Sequence, residues 1–381
     1  MVVGIICEYN PLHLGHKKQL DRIRDEFGAD TTIVCAMSGN FVQRGAPAIL
    51  DKSVRAQAAI VSGADLVLEL PIPTALSSAE GFAAGGVRLL SPICDKLCFG
   101  AENADVEALM QAAKVLLSED YPPLLREKLD AGLSFPAARQ SALEALGVPP
   151  SLLRQPNNIL AVEYCKAILA QGSPMEVFPI HREGSFHAEV ADSENPSATA
   201  VRNLMMYAHN WKGYVPKPVR PLFENAELHS IQAGERAMLC KMRTMTEAEF
   251  EDNPYGGEGL WRKFMHAVHS EATLEGILAA TKSKRYTRTR LDRMAMCAFL
   301  GITQADMTMD IPYTRVLAFN HRGRAVLKDA KKTGVYRNAG ESYDHPYWEL
   351  EQRCGNLYGL FAANTPEAPG CEGKRRVYVH K

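Results

Sequence analysis

The amino-acid sequence predicts a Rossmann-like α/β fold, an open, doubly wound parallel sheet, followed by a mainly helical C-terminal region. Three observations carry that expectation. Short apolar runs at 2–7, 31–37 and 65–70 alternate with longer amphipathic stretches at 16–27, 52–62 and 78–90, the spacing of parallel strands joined by crossover helices. A fourth apolar run, 96–99, ends at Gly100. In a sheet of this kind ligands collect at the carboxyl ends of the strands, so the segment leaving the first run is the first place to look for chemistry.

Each later element follows from its own pattern. Residues 105–170 read as helices punctuated by Pro122-Pro123 and Pro149-Pro150. Residues 175–180 read as one more strand, and 182–195 are polar and glycine-containing, hence a loop. Residues 197–207 read as a helix with Ser197 near its N-cap. The cluster Pro216, Pro218 and Pro221 suggests a boundary, dividing the chain into an α/β domain over 1–215 and a mainly helical domain over 216–381. The second part carries a small strand at 316–319 with a helix after it. The end of the chain, from Lys374 to Lys381, reads as a basic tail. Internal repeats and low-complexity segments are missing from the sequence.

Composition narrows the function classes. The 381 residues are 46% hydrophobic and 23% charged, an ordinary globular balance, and 43 Lys and Arg against 44 Asp and Glu leave a net charge of -1. A molecule this neutral is not a general polyanion binder, so any nucleic-acid surface must be a local patch. Nine cysteines, scattered without a CxxC pair, suggest neither a disulfide framework nor a zinc site, and the sequence shows no other metal-ligand pattern. Cys94 and Cys98 form a close pair that reads as packing. The N-terminal MVVGIICEY shows no basic leader, and no run of some twenty apolar residues follows. A cytoplasmic protein without a membrane segment is expected. Nothing in the sequence specifies an oligomeric state.

The chemistry begins with Glu8-Tyr9-Asn10-Pro11-Leu12-His13-Leu14-Gly15-His16, which leaves the first strand and enters the first helix. Main-chain N–H groups at a helix start form an anion site, and Gly15 lets a phosphate approach closely. Two histidines three apart can face that same anion. In nucleotidyl transfer the α-phosphate gains negative charge as it becomes five-coordinate, so donors aimed at it lower the barrier. Two such histidines could also be ordinary capping and packing groups, but the position after a first strand favours a phosphate-binding turn.

This HxGH resembles the signature of nucleotidyltransferases related to class I aminoacyl-tRNA synthetases. Ser197-Ala198-Thr199-Ala200-Val201-Arg202 resembles the hydroxyl-rich, Arg-ended element that those enzymes place across the triphosphate. Its hydroxyls and guanidinium would clamp the β- and γ-phosphates. More specifically, the chain resembles the tRNA(Met) cytidine acetate ligase family over most of its length. The blocks that carry this are 8–16, Met37-Ser38-Gly39-Asn40-Phe41-Val42-Gln43-Arg44-Gly45, Asp65-Leu66-Val67-Leu68-Glu69-Leu70-Pro71, Phe99-Gly100-Ala101-Glu102 and Pro156-Asn157-Asn158-Ile159-Leu160. Two positions depart from the family pattern. Pro196 stands where a β-branched residue is favoured, and Cys7 where an aliphatic one is common.

The resemblance implies activation of acetate by ATP to acetyl-adenylate and pyrophosphate, then transfer of the acetyl group to N4 of the wobble cytidine of elongator tRNA(Met). It implies an ATP site lined by Cys7, Glu8, Tyr9, Asn10, Pro11, Leu12, His13, Leu14, Gly15, His16, Lys17, Lys18, Gln19 and Leu20, with further contacts from Gly100, Asn157, Asn158 and Arg182. The expected catalytic groups are His13 and His16 on the α-phosphate, with Ser197, Thr199 and Arg202 holding the outgoing pyrophosphate. Mg2+ is expected as the partner of ATP.

A local basic patch suited to RNA lies at Lys282-Ser283-Lys284-Arg285-Tyr286-Thr287-Arg288-Thr289-Arg290-Leu291-Asp292-Arg293. Lys331, Lys332 and the basic tail belong to the same half of the chain. Arg44, beside the expected phosphate site, is a further candidate for tRNA or acetate, or a salt-bridged structural residue. Two other readings stay open: a nucleotidyltransferase that adenylates a small phosphorylated metabolite without RNA, and a nucleotide-responsive RNA-binding protein without turnover.

Overall fold

A computed structural model describes residues 1–153, 155–182, 195–207, 210–330 and 336–381. The strands are β1 (Val2–Cys7), β2 (Thr32–Ser38), β3 (Phe41–Val42), β4 (Ala46–Pro47), β5 (Leu66–Leu70), β6 (Lys96–Ala101), β7 (Glu176–His181), β8 (Thr314–Phe319), β9 (Tyr336–Asn338) and β10 (Tyr378–Val379). The main sheet runs β10-β8-β5-β2-β1-β6-β7, with β9 also on β8, while β3 and β4 form a separate small hairpin. From β5 to β7 every pairing is parallel. The chain winds outward from β1 to β2 and β5 on one side, then to β6 and β7 on the other. This puts a topological switch point between β1 and β6, the place where open sheets of this kind bind ligands beyond the carboxyl ends of their strands.

The strand ends differ from the sequence reading by a residue or two. β5 begins at Leu66, one residue later than read, and β6 passes through Gly100 to Ala101. The larger difference is β8. It runs antiparallel to β5 and carries β9 and β10 on its outer edge, so the sheet crosses the expected boundary at 215/216 and is mixed at one end. The basic tail is correspondingly part of the fold: Tyr378 and Val379 pair with Ala318 and Phe319.

Helix α1 (Leu14–Phe27) and helix α2 (Lys52–Val61) pack their apolar faces with Val3, Ile5, Ile33, Cys35 and Val67 on one side of the sheet. The opposite face, with Ile6, Val34, Leu66 and Leu68, is covered by helices including Ala79–Leu90 and Pro156–Gln171. A third core, built around Phe264, Met294, Phe299 and Phe361, belongs to the helical region. Among the described residues no helix is long and apolar enough to cross a membrane.

A buried ionic network joins that C-terminal part to the sheet. Lys52 Nζ donates to Glu69 Oε1 at 2.6 Å and to Glu372 Oε2 at 2.9 Å. Arg315 on β8 pairs with Glu69 at 2.9 Å, with Glu372 at 2.6 Å, and with Glu351. Arg375 closes the network with a fork onto Asp51, both contacts 2.7 Å, and a 3.1 Å bond to Glu372. Lys52, Arg315 and Glu372 are each at most 2% exposed, so these charges depend on one another for solvation.

Candidate active site

The turn leaving β1 is fixed before the first histidine. Glu8 Oε1 accepts from Gln43 N at 2.7 Å in the β3–β4 turn, and Asn10 Oδ1 accepts from Ile49 N at 2.8 Å. Tyr9 takes a left-handed φ of 45°, which a non-glycine residue holds only where its surroundings enforce it. Its ring is buried, with the hydroxyl 3.6 Å from Cys35 Sγ and the ring edge against His16 at 4.9 Å. Burial pushes the Tyr9 hydroxyl and the neighbouring Cys7 thiol well up, with Cys35 adding to both, so neither is a nucleophile at neutral pH.

His13 is the N-cap of α1. Gly15 N donates to His13 Nδ1 at 3.1 Å, and His13 N donates to His16 Nδ1 at 3.2 Å. This reciprocal arrangement is a capping box made of two imidazoles, and the rings stack 3.8 Å apart. With both Nδ1 atoms accepting, each neutral ring carries its proton on Nε2. The His13 pKa is pushed down to about 3, by burial first and then by the charges of Arg182 and Arg202. Burial, His13 and Arg182 push His16 well down too. His13 Nε2 is buried without a hydrogen-bond partner among the described residues, a donor that calls for an acceptor. A β-carbon on Gly15 would sit 3.0 Å from His13 Cε1, so the ring returns over the glycine.

This protonation state has a kinetic consequence. The kcat/KM for ATP should show no histidine ionisation near the usual value, staying flat from roughly pH 5.5 to 8. The sign follows from the depressed pKa: neutral donors persist as pH falls until His13 approaches its folded value of about 3. A pH–rate profile falling with a midpoint near the ordinary histidine value would contradict it.

The second motif closes on the first. Ser197 caps helix Ala198–Met206 by accepting from Ala200 N at 3.0 Å. Arg202, one turn on, donates from Nη1 to Asn10 O at 2.6 Å and from Nη2 to Thr199 Oγ1 at 3.0 Å. Burial lowers its pKa, and the charge of Arg44 lowers it further, which places the half-buried Arg44 near the same pole. Pro196 O lies 3.9 Å from a built Gly15 β-carbon, so the hydroxyl-bearing helix start faces the histidine turn.

Across the switch point, Arg182 follows β7, its N–H bonding Ala101 O at 2.9 Å. A β-carbon on Gly100 would lie 3.8 Å from Arg182 Cδ, so the stem of Arg182 passes over the glycine. Asn157 and Asn158 open helix Pro156–Gln171 and are engaged locally. Asn157 Nδ2 donates to Glu102 Oε1 at 2.7 Å, Asn158 N donates to Glu102 Oε2 at 2.8 Å, and Asn158 Oδ1 accepts from Asn103 N at 2.9 Å. Their visible work is to pin the loop after β6. Along α1, Lys17 pairs with Asp21, Lys18 reaches Asn195 at 3.0 Å, and Gln19 reaches Cys98 Sγ at 3.6 Å. Leu12 and Leu20 are core side chains.

The basic run is largely tied down. Arg288 forks onto Glu275 at 2.7 and 2.6 Å and also bonds Asp292 at 2.8 Å. Arg285 pairs with Glu258 at 3.0 Å. Arg290 bonds Tyr255 O and lies over the Tyr286 ring, while Arg293 bonds Gln43 O at 3.1 Å and lies over Tyr255. Lys282 and Lys284 are exposed and have no ion-pair partner among the described residues. Lys331 and Lys332 lie outside the described residues, as does 183–194 of the expected loop. Sequence reasoning missed Arg55 and the buried network, whose members are too scattered along the chain to form a motif.

Fold and site together define an HxGH nucleotidyl transferase, and a family model described as HIGH Nucleotidyl Transferase matches residues 1–370. The tRNA(Met) cytidine acetate ligase of Acetivibrio thermocellus is 36% identical, covering 87% of this chain and 86% of that protein. The protein of the same name from Alkaliphilus metalliredigens is 34% identical, covering 97% and 96%. The chain belongs to this family, the tRNA(Met) cytidine acetate ligases. The crystal structure of Thermotoga maritima TmcAL, apo form, superposes with a TM-score of 0.90 at 27% identity over 99% of each chain. The structure of TmcAL bound with alpha-thio ATP gives 0.87 at 28% over 99% of each.

Proposed function

We propose that this chain activates acetate with ATP and transfers the acetyl group to N4 of the wobble cytidine of elongator tRNA(Met). The observation that carries the reading is the pair of neutral imidazoles at the start of α1, whose Nδ1 atoms accept main-chain N–H groups and so leave an Nε2–H donor on each ring, that of His13 without a partner among the described residues. A carboxylate oxygen of acetate attacks the α-phosphorus, the bond to the β-phosphate oxygen breaks, and pyrophosphate departs. His13 and His16 stabilise charge on the five-coordinate phosphorus. Ser197, Thr199 and Arg202 hold the leaving group. In the second step cytidine N4 attacks the acetyl carbon, AMP leaves, and the N4 proton passes to an acceptor. The mixed anhydride is already reactive, so positioning is the main demand on the protein.

Mg2+ would accompany ATP into the site. Its chemistry would be charge neutralisation. The functional division is an ATP-handling part over 1–215 and a tRNA-presenting part over 216–381, working in the cytoplasm. Measuring acetate-dependent pyrophosphate release alongside the mass of the RNA tests the reading. An acetyl-sized gain confined to elongator tRNA(Met) is expected, and pyrophosphate release that leaves the RNA unchanged would favour a small-metabolite acceptor.

Within the basic run the exposed Lys282 and Lys284 are the best-placed phosphate contacts. Replacing both by alanine should weaken tRNA binding uniformly and lower the slope of log affinity against log salt by about 2. Acetate-dependent pyrophosphate release without tRNA should be unchanged. Filter-binding titrations over a range of salt check this.

A further inference from the structure

Arg55, in α2, is fully buried at 0% exposure. Its hydrogen bonds run to main-chain carbonyls: Nε to Leu50 O at 2.9 Å, Nη1 to Glu8 O at 2.7 Å and Ser38 O at 3.0 Å, and Nη2 to Gly39 O. Those oxygens belong to the segment leaving β1, the end of β2 and the loop after it, and the residue before the α2 cap. One guanidinium nitrogen therefore bridges the ends of two neighbouring strands at the edge of the sheet where ATP binds.

Parallel strands end in carbonyls, whose negative dipole ends repel a triphosphate. Arg55 donates to three of these oxygens, those of Glu8, Ser38 and Gly39, and so offsets their partial negative charge. The planar fork suits this, because its donors diverge at fixed angles, whereas a lysine offers one point charge. Glu8 is the first residue of the turn that carries His13 and His16, and its side chain is held separately by Gln43 N. Glu8 is thus anchored through its carbonyl as well as its carboxylate.

We infer that Arg55 is a positioning residue for adenylate formation: by holding the Glu8 carbonyl against those of Ser38 and Gly39 it sets where the two imidazole Nε2–H donors point. The inference rests on the reading of the His13–His16 turn as the α-phosphate site.

The test is Arg55→Lys in the full chain. The kcat of acetate-dependent pyrophosphate release should fall about 10- to 100-fold, with KM for ATP changed less than about threefold, because a small misplacement penalises the transition state more than binding. Long-range 1H–15N spectra of the imidazoles should show the Nε2–H tautomer for His13 and His16 in the native chain and a mixture in the variant. A purely structural loss would lower the melting temperature and leave the tautomers alone. A kcat within about twofold of native, or identical tautomers in both proteins, would overturn the inference.

If Arg55→Lys does not fold, the native chain decides. The Arg55 Nε–H signal should exchange slowly and shift with those of His13 and His16 when ATP is added, and an Arg55 signal indifferent to ATP would overturn the inference. Failure of the native chain to release pyrophosphate with any carboxylate would instead overturn the functional reading, leaving the tautomer comparison to judge Arg55 alone.

Discussion

His16→Ala should lower acetate-dependent pyrophosphate release by about 10²–10³-fold, the usual cost of removing one donor that acts on charge developing in a transition state. Three local losses underlie that figure. The Nε2–H donor disappears, and so does the acceptor for the His13 main-chain N–H, a 3.2 Å bond in the native turn. The ring stacked on His13 at 3.8 Å goes with them. Binding of ATP should change much less than the rate, because main-chain donors and Arg202 remain. A single-turnover pyrophosphate assay beside a calorimetric ATP titration separates the two quantities. Equal losses in affinity and in kcat/KM, with kcat intact, would mean that His16 binds the ground state and the transition state equally and does not act on the chemical step.

Arg315→Met should destabilise the fold by about 3–5 kcal/mol, the cost of breaking a buried ion network by removing one partner. Arg315 lies between Glu69, Glu351 and Glu372. Without it those carboxylates and Asp51 share only Lys52 and Arg375 as cations in the network. Burial already pushes the Glu351 carboxyl up, while Lys52, Arg315 and Arg375 together hold Glu372 down at about 2. The double variant Arg315→Met with Glu351→Leu should recover part of the loss, because it removes a stranded charge together with its partner. Urea unfolding of the three proteins measures both effects. A single-variant cost under about 1 kcal/mol would show that the site admits water and behaves like a surface pair.

The legible part of this molecule is the part whose physics is local. The runs forming β1, β2, β5 and β6 are apolar because both faces of a parallel sheet are covered, and such runs stand out in a sequence. The histidine turn was equally readable, since a helix start after a first strand binds anions whatever packs around it. The ends of the chain were not. Arg375 reads as one charge in a basic tail, yet it is buried on Asp51, a partner 324 positions away in the chain. Arg288 and Arg290 read as RNA contacts because their neighbours in sequence are basic, and their acidic or carbonyl partners, Glu275 and the Tyr255 oxygen, come from other segments. β10 is two residues long, too short to leave a period. Asn157 and Asn158 also hold the loop following β6, Asn157 Nδ2 and Asn158 N donating to Glu102 while Asn158 Oδ1 accepts from Asn103 N, contacts that no local pattern announces.

The antiparallel placement of β8 beside β5 also says something about how this protein comes into being on the ribosome. When residues 66–70 emerge, the edge of that strand has no partner, and its own neighbour is still more than two hundred codons away. Glu69 and Lys52 wait as long for Arg315 and Glu372. A nascent chain that has completed the ATP-binding turn therefore still carries an open strand edge of the kind that invites pairing between chains. The N-terminal half translated alone should be prone to aggregate. Competence for chemistry should arrive late in synthesis, when the strand at 314–319 and the turn bearing Glu372 reach the sheet together.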